Sequence, residues 1–170
     1  MTVKVGDEIP NGELTYVPYN EKEELNACTV PQPYKIHDNL KNKKAVIFAI
    51  PGAFTPTCTQ EHLPGFVKNY DALKARGVDE VICVAVNDGF VMNAFGKVTG
   101  ANKNIIFAGD GAGTFTESLD LTLDLSSLGI GKRSKRYAMI VDNLVIKYLG
   151  VESGGNVEDS SAEAVLAELK

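Results

Sequence analysis

The chain has 170 residues, 44% of them hydrophobic and 23% charged, which suits one domain over 1–170 with its own core and argues against global disorder. A net charge of −5 argues against binding a phosphate backbone as the main role, and no apolar run approaches the roughly 18 residues of a membrane span. The opening Met1–Glu8 lacks the charged-then-apolar layout of a signal peptide, and the last residues are not a Ser-Lys-Leu address, so a cytoplasmic location is expected.

In chain order, the first forty residues are rich in turn formers (Pro10, Gly12, Pro18, Pro31, Pro33) and read as an irregular arm with short strands. Lys44–Ile50 is a short, near-continuous apolar run, as expected of a central strand covered on both faces. Thr55–Arg76 reads as a helix closed by Gly77. Glu80–Val86 is a second buried strand. Asp88–Val98 is a helix expected to present Phe90, Val91, Ala94, Phe95 and Val98 on one face. Asn104–Ala108 is a third strand, and Ala112–Leu119 a short helix. Tyr137–Val141 and Leu144–Tyr148 flank Asp142-Asn143, a hairpin signal. The last helix starts at Ser160 or Ser161, with Ser160 and Glu163 spaced as a capping box. Alternating strands and helices followed by a hairpin imply an α/β domain, a central mixed β-sheet flanked by helices, of the kind seen in the thioredoxin-like fold.

The chemistry concentrates in Pro51–His62, directly after the best strand. Thr55 followed by Pro56 is a helix start, with Thr at the N-cap and Pro at the first helical position. That count puts Cys58 in the first turn, where backbone N–H groups lack intrahelical partners. These donors and the positive end of the helix dipole favour an anion, so a thiol there is expected to have a lowered pKa. If the thiolate attacks a peroxide, the departing oxygen needs donors; the N–H groups of Thr57 and Cys58 and the Thr55 hydroxyl are candidates. Arg136, at the start of a core strand, is the best-placed cation.

Each of these residues has a plainer reading. Cys58 could be a small buried hydrophobe, and Thr55 a cap alone. Arg136 could be one more surface charge in the run Lys132–Arg136. His62 lies one helical turn after Cys58 and could tune the thiolate or simply pack; His37 has no evident partner. The odd count of three cysteines, Cys28, Cys58 and Cys83, does not look like a disulfide framework, and Cys83 sits in an apolar strand as core packing.

Pro51-x-x-x-Thr55-x-x-Cys58 resembles the active-site motif of the peroxiredoxins. Pro51–Cys58 and His62–Phe66 are similar to the type II, or peroxiredoxin-5-like, subfamily, as are Val5–Pro10, Val86–Asp88 and Lys135–Met139. The likeness spans nearly the whole chain and extends to fungal peroxisomal-membrane-protein-like members. It implies a thiol peroxidase acting on hydrogen peroxide and alkyl hydroperoxides in antioxidant defence. Cys58 would be the peroxidatic cysteine, passing through a sulfenic acid. Thr55 would orient peroxide and sulfur, Arg136 would be the paired cation, and Pro51 would shield the sulfur. No cofactor or metal, a homodimer, and thioredoxin or glutathione/glutaredoxin as reductant are also implied. Cys28, in Ala27–Pro31, matches the arm cysteine that in fungal relatives resolves the partner subunit's peroxidatic cysteine; the alternative is a spectator thiol with an external resolving thiol. Gly109–Gly113 replaces an Asp-Pro pair, which suggests a more mobile loop, and Phe95 stands where relatives often carry Trp.

Rival readings fare worse. No C-x-x-C supports a disulfide oxidoreductase, and Pro64 occupies the position where a cysteine phosphatase needs Arg. Cys28, Cys58, His37 and His62 lack the paired spacing of zinc ligands. The glycines of Gly109–Gly113 match neither G-x-G-x-x-G nor a P-loop. A non-catalytic binding or chaperone module would have no need of Thr55, Cys58 and Arg136 together.

Overall fold

The computed structural model describes residues 1–169. Three apolar strands form its centre: β3 (Lys44–Ala49), β4 (Glu80–Ala85) and β5 (Ile106–Gly109), paired in parallel. In β3 and β4 every residue after the first is buried, so both faces must be covered, which is what a near-continuous apolar run demands. The arm contributes β1 (Glu13–Tyr16) and β2 (Gln32–Lys35), antiparallel to each other, with β1 also antiparallel to β5. β8 (Tyr137–Asp142), antiparallel to β3, and β9 (Val145–Val151), antiparallel to β8, extend the other edge. The sheet order is β2-β1-β5-β4-β3-β8-β9. A small separate sheet pairs β6 (Thr122–Leu125) with β7 (Gly131–Ser134), an element the hydrophobic pattern did not reveal because its side chains are half exposed.

Because side chains alternate across a strand, the sheet carries two cores. Val46, Phe48, Val81, Cys83 and Ile140 pack against α2 (Leu63–Lys68), α3 (Tyr70–Ala75), α4 (Gly89–Thr99) and α6 (Ala162–Glu168) through Phe66, Leu73, Phe95 and Val165. Ala45, Ile47, Ile82, Val84 and Met139 face α1 (Ile36–Leu40) and α5 (Thr114–Ser118) through Ile36, Leu40 and Phe115. Phe48 and Phe66 stack at 4.1 Å between ring centroids, and burial of each such ring contributes about 1.5–3 kcal/mol.

Several elements depart from the sequence reading. The single helix expected over Thr55–Arg76 is broken. Cys58–His62 forms a π-helical turn, closed by Leu63 N–H donating to the Cys58 carbonyl, and Asn69 separates α2 from α3. Pro64 has no N–H for the α ladder, so the ladder is interrupted where the turn widens. The α4 face is also different. Asp88 caps it, accepting from Val91 N–H at 2.9 Å, but Met92, Asn93, Phe95 and Gly96 are buried, while Phe90 and Val98 are about half exposed or more, at 53% and 63%. The hairpin loop is Asn143-Leu144, both at positive φ (45° and 71°), one residue later than expected, because Asp142 still pairs with Lys44 and Val145. The capping box is not made: Ser161 is the N-cap of α6, accepting from Ala164 N–H at 3.1 Å, while Ser160 is buried and Glu163 receives the Asn69 amide. The Gly109–Gly113 loop, expected to be loose, is tied down by buried Asp110, whose carboxylate accepts from Phe115 N–H, Thr116 N–H and the Thr116 hydroxyl.

Candidate active site

β3 delivers the chain to Pro51, and the next residues turn sharply into the helical segment. Phe54 takes φ 67°, a conformation uncommon for a side chain of its size, and its ring packs edge-on against Phe95 of α4. Ala53 N–H donates to Asn87 Oδ1 at 3.0 Å, which ties this turn to the end of β4. Thr55 does not cap as expected. Its carbonyl accepts from Thr59 N–H at 3.0 Å, but its hydroxyl donates back to the Gly52 carbonyl at 2.8 Å. Thr57 and Cys58 thus stand in a first turn whose N–H groups point along the helix axis toward the loop.

The Cys58 sulfur is fully buried, in the core cluster that holds Cys83 and Leu63. It is not surrounded by hydrocarbon alone: Arg136 Nη2 donates to Cys58 Sγ at 3.2 Å. Arg136 immediately precedes β8, and the pairing of β8 with β3 brings it to the strand end that carries Pro51. Arg136 is 5% exposed, so it is not part of a surface charge run. Among the described residues no carboxylate lies within 4.0 Å of its guanidinium, and its Nε has no partner. A buried cation of this kind needs an anion, and the nearest group able to become one is the Cys58 sulfur.

Nη1 of Arg136 makes a second contact, 3.1 Å from His62 Nδ1. His62 Nε2 lies 2.8 Å from the Ser160 carbonyl, and the ring packs at a tilt against Phe48 and Phe66. Burial drives the His62 pKa down to about 4; the Ser160 carbonyl opposes this and the Arg136 charge adds to it, so the imidazole is neutral near pH 7. His62 therefore both packs and bonds, a combination its position one turn after Cys58 hinted at without deciding. Burial pushes the Cys83 thiol well above its ordinary value, in keeping with a core residue.

A cavity of about 540 Å³ opens beside the site, lined by Pro51, Leu123, Leu125, Lys135, Arg136 and Glu152 among others. Arg133 was not singled out by its sequence. Its Nη1 donates to the Pro51 carbonyl at 3.3 Å and its Nε to the Ile130 carbonyl at 3.1 Å, which fastens the β6–β7 hairpin to the active-site turn. A Cβ at Gly52 would come within 2.7 Å of Arg133 Nη1, so a larger residue there would push the guanidinium aside. Glu152 was also missed, with nothing in its local sequence to mark it, and Ser160 was read only as a helix cap. Cys28 is exposed in the arm, and all three cysteines are free.

A family model described as Redoxin matches residues 4–166. The chain is 43% identical over 167 residues to Peroxiredoxin-2C of Arabidopsis thaliana, an alignment covering 98% of each chain. The chain belongs to the peroxiredoxin family. Among solved structures, reduced Prx3 of Vibrio vulnificus in complex with H2O2 matches this peroxiredoxin with a TM-score of 0.88 at 40% identity, over 99% of this chain and 100% of that one. Peroxiredoxin 5 of Alvinella pompejana matches with a TM-score of 0.80 at 34% identity, over 98% and 97%. This peroxiredoxin is a thiol-dependent peroxidase of the thioredoxin-like fold, with a role in redox homeostasis and antioxidant defence; it acts on a peroxide and is recycled by a thiol reductant. Among its described residues no helix is long and apolar enough to cross a membrane.

Proposed function

We propose that Cys58 is the peroxidatic residue, with Arg136, Thr55 and Pro51 completing the site in a single domain spanning 1–170. The observation that carries this reading is the 3.2 Å contact between Arg136 Nη2 and Cys58 Sγ, made by a buried guanidinium that no carboxylate neutralises among the described residues. The sulfur, as thiolate, attacks the terminal oxygen of a hydroperoxide. An S–O bond forms, the O–O bond breaks, and the departing alkoxide or hydroxide takes up a proton to leave as alcohol or water. Cys58 is left as a sulfenic acid. Negative charge moves from sulfur to the departing oxygen, so donors that reach both are worth most in the transition state. Arg136 Nε, buried without a partner, and the N–H groups of Thr57 and Cys58 are those donors. Thr55 sets the height of the turn through its bond to the Gly52 carbonyl, and Pro51 walls the cavity. Hydrogen peroxide and alkyl hydroperoxides both fit this chemistry, and the leucines of β6 offer an apolar wall for the latter.

Cys28 is assigned as the resolving residue. It lies in the loop between β1 and β2, accessible to a second subunit, with its thiol donating to the Thr29 carbonyl. Its thiol would displace water from the Cys58 sulfenic acid of the partner in a homodimer, and the resulting disulfide would be reduced by thioredoxin. Glutathione or glutaredoxin is the alternative reductant if Cys28 takes no part. The three free cysteines suit a reducing, cytoplasmic setting.

The test is peroxide consumption with a thiol reductant, together with non-reducing gels after brief peroxide treatment. Cys58→Ser should abolish consumption; equal consumption by the variant and the wild type would remove Cys58 from the role. The wild type should run as a covalent dimer after oxidation and Cys28→Ala as a monomer. A wild type that stays monomeric while still turning over would remove Cys28 and favour an external resolving thiol.

A further inference from the structure

We propose that Glu152 is a positioning residue of the peroxidase site, acting through Ser160 and His62 on the Arg136 guanidinium. The inference rests on the reading that Arg136 holds the peroxide at Cys58.

A guanidinium has only donors, so His62 Nδ1, 3.1 Å from Arg136 Nη1, is an acceptor. The ring proton of the neutral imidazole is then on Nε2 and is donated to the Ser160 carbonyl at 2.8 Å. Ser160 is fully buried and is itself gripped by Glu152: its N–H and its hydroxyl both donate to Glu152 Oε1 at 2.8 Å, joined by Glu158 N–H at 2.6 Å. The chain closes on itself, because Glu152 N–H donates to the Arg136 carbonyl at 2.9 Å. One residue thus fastens the Arg136 backbone directly and its side chain through two intermediates. The segment between the two ends, Ser153–Asn156, is exposed, and the carboxylate oxygen, together with Tyr148 Oη donating to the Asp159 carbonyl at 2.6 Å, clamps this loop against the molecule.

The arrangement solves an electrostatic problem. A carboxylate bonded to Arg136 directly would neutralise it and compete with sulfur and peroxide for its donors. Glu152 sits outside 4.0 Å of the guanidinium, with one oxygen committed to three other donors. A neutral imidazole then fixes one corner of the guanidinium, Cys58 receives the second, and Nε is left buried and unpaired. Without the His62 acceptor nothing else among the described residues holds Nη1, and the fork is free to rotate away from the sulfur.

The test compares oxidation of Cys58 by hydrogen peroxide with its alkylation by a neutral haloacetamide in Glu152→Ala, Glu152→Gln, His62→Phe, His62→Gln and the Glu152→Ala/His62→Phe double variant. Glu152→Ala and His62→Phe should each slow oxidation at least about tenfold while changing alkylation less than about threefold. Gln at either position keeps an acceptor and should recover most of the oxidation rate, whereas Phe keeps only the packing of the imidazole. The double variant should be no slower than the slower single one, since both cut the same chain. Wild-type rates in His62→Phe or Glu152→Ala, or losses that multiply in the double variant, would overturn the proposal. Should Glu152→Ala fail to fold, nitrogen-15 spectra of the wild-type imidazole decide. A proton on Nε2 supports the chain, and one on Nδ1 overturns it, because Arg136 could then not donate there. Full peroxide consumption by Cys58→Ser, by contrast, would sink the underlying assignment and leave the hydrogen-bond chain as a purely structural one.

Discussion

At the scale of single residues, Arg136 shows why position in the fold outweighs position in the chain. Its neighbours in sequence include exposed Lys132 and half-buried Arg133 and Lys135, yet Arg136 is 5% exposed and faces a thiol and an imidazole. Charge alone does not describe its role, since two donors in one plane are engaged and a third is buried without a partner. Arg136→Lys keeps the charge and loses the fork. The expected result is peroxide oxidation of Cys58 slowed about a hundredfold, with a much smaller effect on alkylation by a neutral reagent. Competition kinetics against a reference thiol would measure both; equal slowing of the two would mean that the planar fork has no special hold on the peroxide. The motif Pro51-x-x-x-Thr55-x-x-Cys58 marks three side chains of the proposed site in the sequence, and Arg136 was named beside them. The roles of Glu152 and Ser160 were not legible there, because Ser160 meets His62 from 98 positions away and Glu152 touches that pair only through Ser160.

At the scale of elements, the strands were the most readable parts, since a short run such as Ala45–Ala49 with no polar residue has to be buried on both faces. Helices were harder. The period of α4 allowed more than one apolar face, and the packing of Met92 and Phe95 against the sheet, with Gly96 against Phe107, decided which one turned inward. A buried ion pair also belongs to α4: Lys97 Nζ lies 3.2 Å from Glu23, which accepts from the Thr29 N–H and hydroxyl, so the Cys28 loop is clasped to the helix. The hydrogen bonds from Thr29, with help from Asn93 and Lys97, hold the Glu23 pKa down to about 2 against the cost of burial. In β9, Gly150 is a site of close backbone approach. A Cβ there would overlap the Asp159 carbonyl and reach within 2.5 Å of Tyr148 Oη. Gly150→Ala should therefore cost at least about 2 kcal/mol in urea unfolding, because backbone cannot yield as a flexible side chain can. A loss below about 0.5 kcal/mol would mean that the Asp159 loop shifts freely.

For the whole molecule, the buried ionisable groups set a pH profile. His62 titrates near 4 in the folded state against 6.5 ordinarily. The unfolded chain takes up a proton between those values that the folded molecule refuses, so stability falls as pH drops through that window. Glu23, at about 2 against an ordinary 4.5, extends the loss below pH 4.5, because its folded-state advantage disappears as it protonates. Burial opposes ionisation of Glu152, but the donors at Ser160 and Glu158 outweigh it and hold its pKa below the usual value, which adds in the same direction. Denaturant midpoints should therefore drop between about pH 7 and pH 5, and His62→Gln should flatten that slope. A wild-type midpoint constant across this range would show that His62 is not buried neutral in solution.

The fold class, the three parallel strands and a cysteine at a helix start were contained in the sequence alone. They depend on local pattern: runs of apolar residues, a Thr-Pro helix start, and a spacing that puts one thiol among unpaired amides. The tertiary structure set the cation that the sequence nominated, Arg136, against that thiol, and decided what holds it in place and which face of α4 turns inward. Those outcomes depend on strand register and on contacts between distant segments, where β8 lying against β3 brings Arg136 to Cys58 and the loop after β9 brings Ser160 to His62. No short window of sequence carries that information.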